Sequence, residues 1–169
     1  GNVSIDVIEA VTFKLSELDA QLKFVPCDAS HVNDVAVDWC RDAYAGQIEI
    51  AKTGLEPPLP YDADSFDLVL ANLNLHHVND LPGTLWQIQQ VLQPDGFFQA
   101  VMFGGETLNE LRACLVEAET EITGGAYPRF SPLADLRQIA GLLQRAGFAL
   151  PVADHERLAV RYAEPMRLL

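Results

Sequence analysis

The feature that most constrains the fold is the alternation of strand-like and helix-like segments between residues 66 and 103. Residues 66–71 and 97–103 are apolar runs, each typical of a strand that is buried on both faces. Between them, residues 81–92 carry apolar side chains at helical spacing, and residues 94–96 form a Pro-Asp-Gly turn. This order predicts two neighbouring parallel strands joined by a crossover helix.

The rest of the chain extends the same alternation. Strands are predicted at residues 3–8, 22–27 and 47–51, with helices at 9–20 and 32–43 and a proline-rich loop at 54–64. Helices are further predicted at 106–123 and from Ser131-Pro132 to Gly147, and the tail after residue 147 can hold two strands, the second around 158–162. The pattern predicts one α/β domain over residues 1–169, with a mostly parallel sheet and helices on both faces.

Charge and cysteine content exclude several classes of function. The 169 residues include 24 acidic and 11 basic side chains, a formal net charge of −13, and no basic cluster for nucleic acid or an anionic membrane. No apolar run is long enough to span a membrane, and the N-terminus lacks the features of a signal peptide. The three cysteines follow no metal-ligand spacing, so we expect no metal site and a reducing, cytoplasmic location.

Candidate site residues follow from the predicted sheet. Ligands of parallel α/β sheets bind beyond the carboxyl ends of the strands, so polar residues directly after strands are the candidates. Together with the proline-rich loop, this rule selects Ile8, Glu9, Asp28, Tyr61, Asn72, Leu73, Asn74, His76 and His77.

Structural interpretations of the same residues remain open. Asp28 could cap a helix beginning near Ser30, and Asn72 and Asn74 could satisfy loop backbone. The histidine pair at residues 76 and 77 could have a structural role. Elsewhere, Trp39 and Trp86 are predicted in the core, and Glu117, Glu119 and Glu121 on a solvent-exposed face.

Residues 59–69, LPYDADSFDLV, resemble a stretch of class I S-adenosylmethionine (SAM)-dependent methyltransferases of the type 11-like group. The segments 72–82 and 90–96 continue in the same order and spacing. Segments 103–112, 130–133, 145–148 and 162–166 are similar to the branch that holds a methyltransferase-like mitochondrial complex I assembly factor and its bacterial relatives. The resemblance covers about two-thirds of the chain, from residue 59 to the end.

The resemblance implies a Rossmann-like methyltransferase sheet, SAM as the cofactor and a role for each candidate. Asp28 would bind the ribose hydroxyls, and His76 or His77 would orient the acceptor or remove its proton. The remaining candidates would bind the cofactor (Asp6, Ile8, Glu9, Asn72, Leu73) or the substrate (Asn74, Tyr61). Residues 6–10, DVIEA, lack the glycines that the family's first loop uses for close backbone approach to the cofactor. The chain also starts at the first strand, so the fold is expected to be trimmed at the N-terminus.

The sequence is therefore consistent with two functions. One is a SAM-dependent methyltransferase acting on an unknown small-molecule or protein acceptor. The other is a catalytically degenerate binding or assembly module that does not bind SAM. A trimmed sheet would also expose apolar surface, so we expect a homodimer.

Overall fold

The computed structural model describes residues 58–164. Strand β1 (Phe66–Asn72) leads through a single 3-10 turn (Leu75–His77) into helix α1 (Leu81–Val91). Strand β2 (Leu92–Val101), helix α2 (Asn109–Thr123) and helix α3 (Leu136–Ala146) follow. No helix among these residues is long and apolar enough to cross a membrane.

The two strands form a parallel pair, as the sequence predicts. Leu68 lies opposite Phe97, and the register runs without a break to Asn72 opposite Val101. At the start of the pair the partner of Phe66 is Leu92, so residues 93–96 loop out of register. Asp95 in that loop has a φ of 66°, which confirms the predicted turn but places it inside β2.

The core lies between the sheet and helices α1 and α3. Its buried members are Ala71, Leu75, Leu85, Ile88, Leu92 and Ala146. The rings of Phe98 on β2 and Phe148 after α3 stack with centroids 5.3 Å apart. This core fixes the position of β1, and therefore of the polar residues at its carboxyl end.

Side-chain caps define where α1 and α3 begin. Asp80 accepts a hydrogen bond from the Gly83 N–H at 2.9 Å, which satisfies one free donor of the first turn of α1. Asp135 and Gln138 form a reciprocal capping box at the start of α3. The predicted start of α3 at Ser131 is therefore wrong, because the capping box begins the helix at Leu136.

Several expectations about burial and the tail are also wrong. Phe97 is 61% exposed and Val101 51% exposed, so β2 is not buried on both faces, and it ends at Val101 rather than at residue 103. Trp86 is 54% exposed because it lies on the face of α1 opposite the core residues Leu85 and Ile88. Residues 148–164 form neither a strand nor a helix, so the two strands predicted in the tail are not found.

Candidate functional site

The carboxyl ends of β1 and β2 are joined by a hydrogen bond. The Leu73 N–H donates to the Val101 carbonyl at 2.7 Å. Leu73 directly follows β1, and Val101 is the last residue of β2. Leu73 has a φ of 52°, a left-handed conformation that turns the chain sharply away from the sheet. The turn leads into Leu75–His77, which Leu75 anchors because it is 2% exposed in the core.

His76 lies between two aromatic rings at this edge. Its ring centroid is 4.7 Å from that of Phe103, which follows β2, and 4.1 Å from that of His77. The side chain is half-buried, whereas His77 is exposed. The segments that follow the two strands therefore meet at His76.

Burial lowers the pKa of His76 below its usual 6.5, and the neighbouring charge of His77 lowers it further. At neutral pH the imidazole is therefore mostly uncharged. Its Nδ1 atom is buried and has no hydrogen-bond partner among the described residues. A neutral imidazole with an unused ring nitrogen can exchange a proton with a bound group or orient it.

Asn72 supplies a second unused polar group at the same edge. Its Nδ2 atom is buried without a hydrogen-bond partner in the described part of the chain. Buried polar groups are normally paired, because leaving a donor unsatisfied costs roughly 1–3 kcal/mol. An amide N–H at the carboxyl end of a parallel strand suits an oxygen of a bound ligand.

The structure does not bring Tyr61 to this edge. Its ring packs edge-on against Phe66 with centroids 5.1 Å apart, at the amino end of β1. Six residue steps along a strand separate Phe66 from Asn72, which is about 20 Å. Asn74 does lie at the edge, at the start of the 3-10 turn. The substrate roles of Tyr61 and Asn74 stay predictions.

Four other predicted residues, Asp6, Ile8, Glu9 and Asp28, lie outside residues 58–164. Phe103 was not predicted as a site residue, because the rule considered polar residues and Phe103 ends the strand predicted at 97–103. Its place at the carboxyl end of that predicted strand was the available signal. Among residues 58–164, no group of three or more His, Cys, Asp or Glu side chains could hold a metal ion.

Comparison with known proteins identifies the family and the fold of the chain. The family model described as a methyltransferase domain matches residues 10–100, more than half of the chain. A mouse protein, mitochondrial arginine-hydroxylase NDUFAF5, is 47% identical over 111 residues, which are 66% of this chain and 32% of that protein. A malonyl-[acyl-carrier protein] O-methyltransferase of Halorhodospira halophila is 38% identical over 111 residues, 66% of this chain and 36% of that protein.

The chain thus spans about a third of the length of the curated relatives it matches. A solved SAM-dependent methyltransferase from Mesorhizobium loti is 18% identical, with a TM-score of 0.56 over 77% of this chain and 65% of that one. At that identity the likeness shows the fold alone, and it confirms the predicted Rossmann-like α/β architecture.

Proposed function

We infer that this chain, which belongs to the methyltransferase domain family, acts as a SAM-dependent methyltransferase. One observation supports a ligand at the predicted place. Asn72 Nδ2 and His76 Nδ1 are both buried without hydrogen-bond partners among the described residues, and both lie where β1 and β2 end. Ligands of open parallel sheets bind at this edge.

The residues at this edge fit SAM. The ligand carries a carboxylate, and the Asn72 amide is a donor without a partner in the described part of the chain. We assign Asn72 and Leu73 to the methionine part of the cofactor. Asp28 is assigned to the ribose hydroxyls, because a carboxylate accepts hydrogen bonds from paired hydroxyl groups. Asp6, Ile8 and Glu9 are also assigned to the cofactor, with the turn at residues 8–10 flanking its methionine part.

When bound, SAM supplies the methyl group. The chain's own residues have the task of positioning the acceptor and of removing its proton where it carries one. His76 is suited to both tasks, since its lowered pKa leaves the ring uncharged at neutral pH. Phe103 restricts the ring from one side, and His77 contacts it from another. His77 is the second candidate for the proton.

The acceptor is not assigned. One relative is named an arginine-hydroxylase and another a malonyl-[acyl-carrier protein] O-methyltransferase, so relatives of this chain are named for different reactions. The side chains at the strand ends, an amide and two imidazoles, suit either a small-molecule or a protein acceptor. For the location we propose the cytoplasm, and for the association state a homodimer.

A second function is favoured by one feature of the sequence. Residues 6–10, DVIEA, contain no glycine, and side chains in a cofactor loop hinder close approach of the backbone. A chain that cannot bind SAM would be a binding or assembly module with the same fold. Affinity for the cofactor separates the two functions.

The test is calorimetric titration of the full chain with SAM and with its demethylated product, S-adenosylhomocysteine (SAH). The methyltransferase proposal predicts micromolar binding, about −8 kcal/mol. Asn72→Ala is expected to weaken SAM binding roughly tenfold, because a hydrogen bond to a charged group contributes about 1.5–3 kcal/mol. Asp28→Ala is expected to weaken the binding of both SAM and SAH.

Asn109→Ala is the matched control. Asn109 is exposed as the first residue of α2 and is not among the residues assigned to the cofactor, so its replacement is expected to leave both affinities unchanged. Absence of binding by folded wild-type protein would contradict the methyltransferase proposal and support the binding module.

A further inference from the structure

A separate pocket lies between helix α2 and residues 127–130. It has a volume of about 170 Å³, and its lining residues on α2 are Arg112, Leu115, Val116 and Glu119. Tyr127, Pro128, Arg129 and Phe130 form the other wall. Pockets for drug-sized ligands usually measure roughly 300–1,000 Å³, so an occupant of this pocket would be small.

Glu119 in this pocket is already paired. Its carboxylate accepts hydrogen bonds from Arg129 and, at 3.1 Å, from the Tyr127 N–H. These hydrogen bonds lower the pKa of Glu119, so the carboxylate stays ionised. The expectation that Glu119 lies on a solvent-exposed face is wrong, since its side chain is only 10% exposed. Its charge is balanced by Arg129.

Arg112 is the cation of the pocket that has no carboxylate partner within residues 58–164. Its Nη1 donates to the Gly105 carbonyl at 2.9 Å, and its guanidinium carbon lies 5.9 Å from the centre of the Phe130 ring. Among residues 58–164, ion pairs join Arg129 to Glu119 and Arg157 to Glu106, and neither includes Arg112. A guanidinium has five N–H groups in a fork that matches a carboxylate.

The charge and the walls of the pocket together define a ligand class. Two arginines and one glutamate leave a net positive charge, although the whole chain has a formal net charge of −13. The rest of the lining is largely apolar or aromatic. Half-buried charges are usually paired, so an unbalanced guanidinium beside an apolar cavity suits an anion with an apolar body.

We propose that this pocket binds a small monocarboxylate with a flat apolar body. Arg112 binds the carboxylate through the N–H groups that do not contact Gly105, and the body packs against Leu115 and Pro128. This site is distinct from the strand-end site, and its occupation does not depend on SAM. It adds recognition of a second, anionic ligand to the proposed function.

The experiment compares benzoate with benzamide, which has nearly the same shape but no charge, on the full chain by NMR titration. Benzoate is expected to bind roughly tenfold or more tightly than benzamide, because only benzoate forms a charge-assisted pair with Arg112. The shifted backbone signals are expected to lie in residues 112–130. Arg112→Gln is expected to remove the preference for benzoate.

Arg137→Gln is the matched control, since Arg137 is exposed on α3 and does not line the pocket. It is expected to leave the preference intact. The proposal is overturned if benzoate and benzamide bind equally, if the shifted signals lie elsewhere, or if benzoate does not bind below about 10 mM, a free energy near −3 kcal/mol. The comparison of benzoate with benzamide on wild-type protein tests the proposal even if Arg112→Gln fails to fold.

Discussion

Helices α1 and α2 are held in the molecule by different forces. Four residues of α1 are buried, and the helix packs against α3 and the sheet. The longer α2 has no buried residue and begins after Leu108, which has a left-handed φ of 54° and provides no side-chain cap. Its contacts are polar instead, chiefly Arg112 with Gly105 and Glu119 with Arg129.

The difference separates the two proposed ligand sites. Asn72 and His76 lie next to the apolar core, because Ala71 and Leu75, their chain neighbours, are among its buried members. The monocarboxylate pocket depends on α2 and on polar contacts between exposed segments. Segments with few buried apolar contacts open at lower free energy, so we expect the strand-end site to be the more rigid of the two.

The largest expected effect comes from two matched substitutions of isoleucine. Ile88 on α1 is 3% exposed, and Ile122 on α2 is 83% exposed. Ile88→Ala is expected to lower the free energy of unfolding by about 2–5 kcal/mol, because it removes buried methyl groups and leaves a cavity. Ile122→Ala is expected to change it by less than about 0.5 kcal/mol, as is usual at the surface. Urea unfolding measures both, and equal losses would show that α2 is packed after all.

A smaller effect is expected at the start of α3. Asp135→Ala removes the acceptor for the Gln138 N–H and breaks the capping box. The expected loss in the free energy of unfolding is about 1 kcal/mol. Asp154→Ala, at an exposed position in the tail, is the control and is expected to have little effect. A neutral result for Asp135→Ala would mean that α3 does not depend on its cap.

The smallest expected effect is the contribution of His76 to the pH dependence of stability. Its folded-state pKa lies below the unfolded value of 6.5, so the unfolded chain takes up a proton more readily. Acidification from pH 7.5 through 6.5 and towards the lowered pKa should therefore lower the free energy of unfolding. His76→Gln should remove the contribution of His76 to this pH dependence. Urea titrations across this range measure the slope.

The neighbouring histidine sharpens the same prediction. In an NMR titration, His77→Gln is expected to raise the pKa of His76 only part of the way to 6.5, because burial is the larger cause of its shift. A full return to 6.5 would make the charge of His77 the dominant cause and would contradict burial as the larger one.

Local patterns predicted the elements next to the core. Strand β1 and helix α1 were expected at 66–71 and 81–92 and are found at Phe66–Asn72 and Leu81–Val91, because an apolar run and helical spacing are visible in the sequence itself. The expected burial of β1 on both faces is wrong, since Leu70 is 37% exposed. The positions of Asn72 and His76 after the buried part of β1 followed from the rule that ligands bind at the carboxyl ends of parallel strands. The contact of Phe103 with His76 could not be predicted in this way, because the rule considers only polar residues.

Other features depend on contacts that local patterns do not contain. Ser131-Pro132 predicts a helix start, but the reciprocal hydrogen bonds of Asp135 and Gln138 begin the helix at Leu136. Leu158, Val160 and Tyr162 alternate as in a strand, but an alternating segment becomes a strand only where a neighbour pairs with it. The pairing of Glu119 with Arg129, ten residues further along the chain, was likewise invisible to helical periodicity.

The central claim is that a cofactor binds where β1 and β2 end. The most direct test is an NMR titration of the full chain with SAH that follows the His76 ring and the Asn72 side-chain amide. The account predicts that both signals shift and saturate together, while His155, in the exposed tail, stays unchanged. Saturable binding without a shift at His76 and Asn72, or no binding at all, would contradict it.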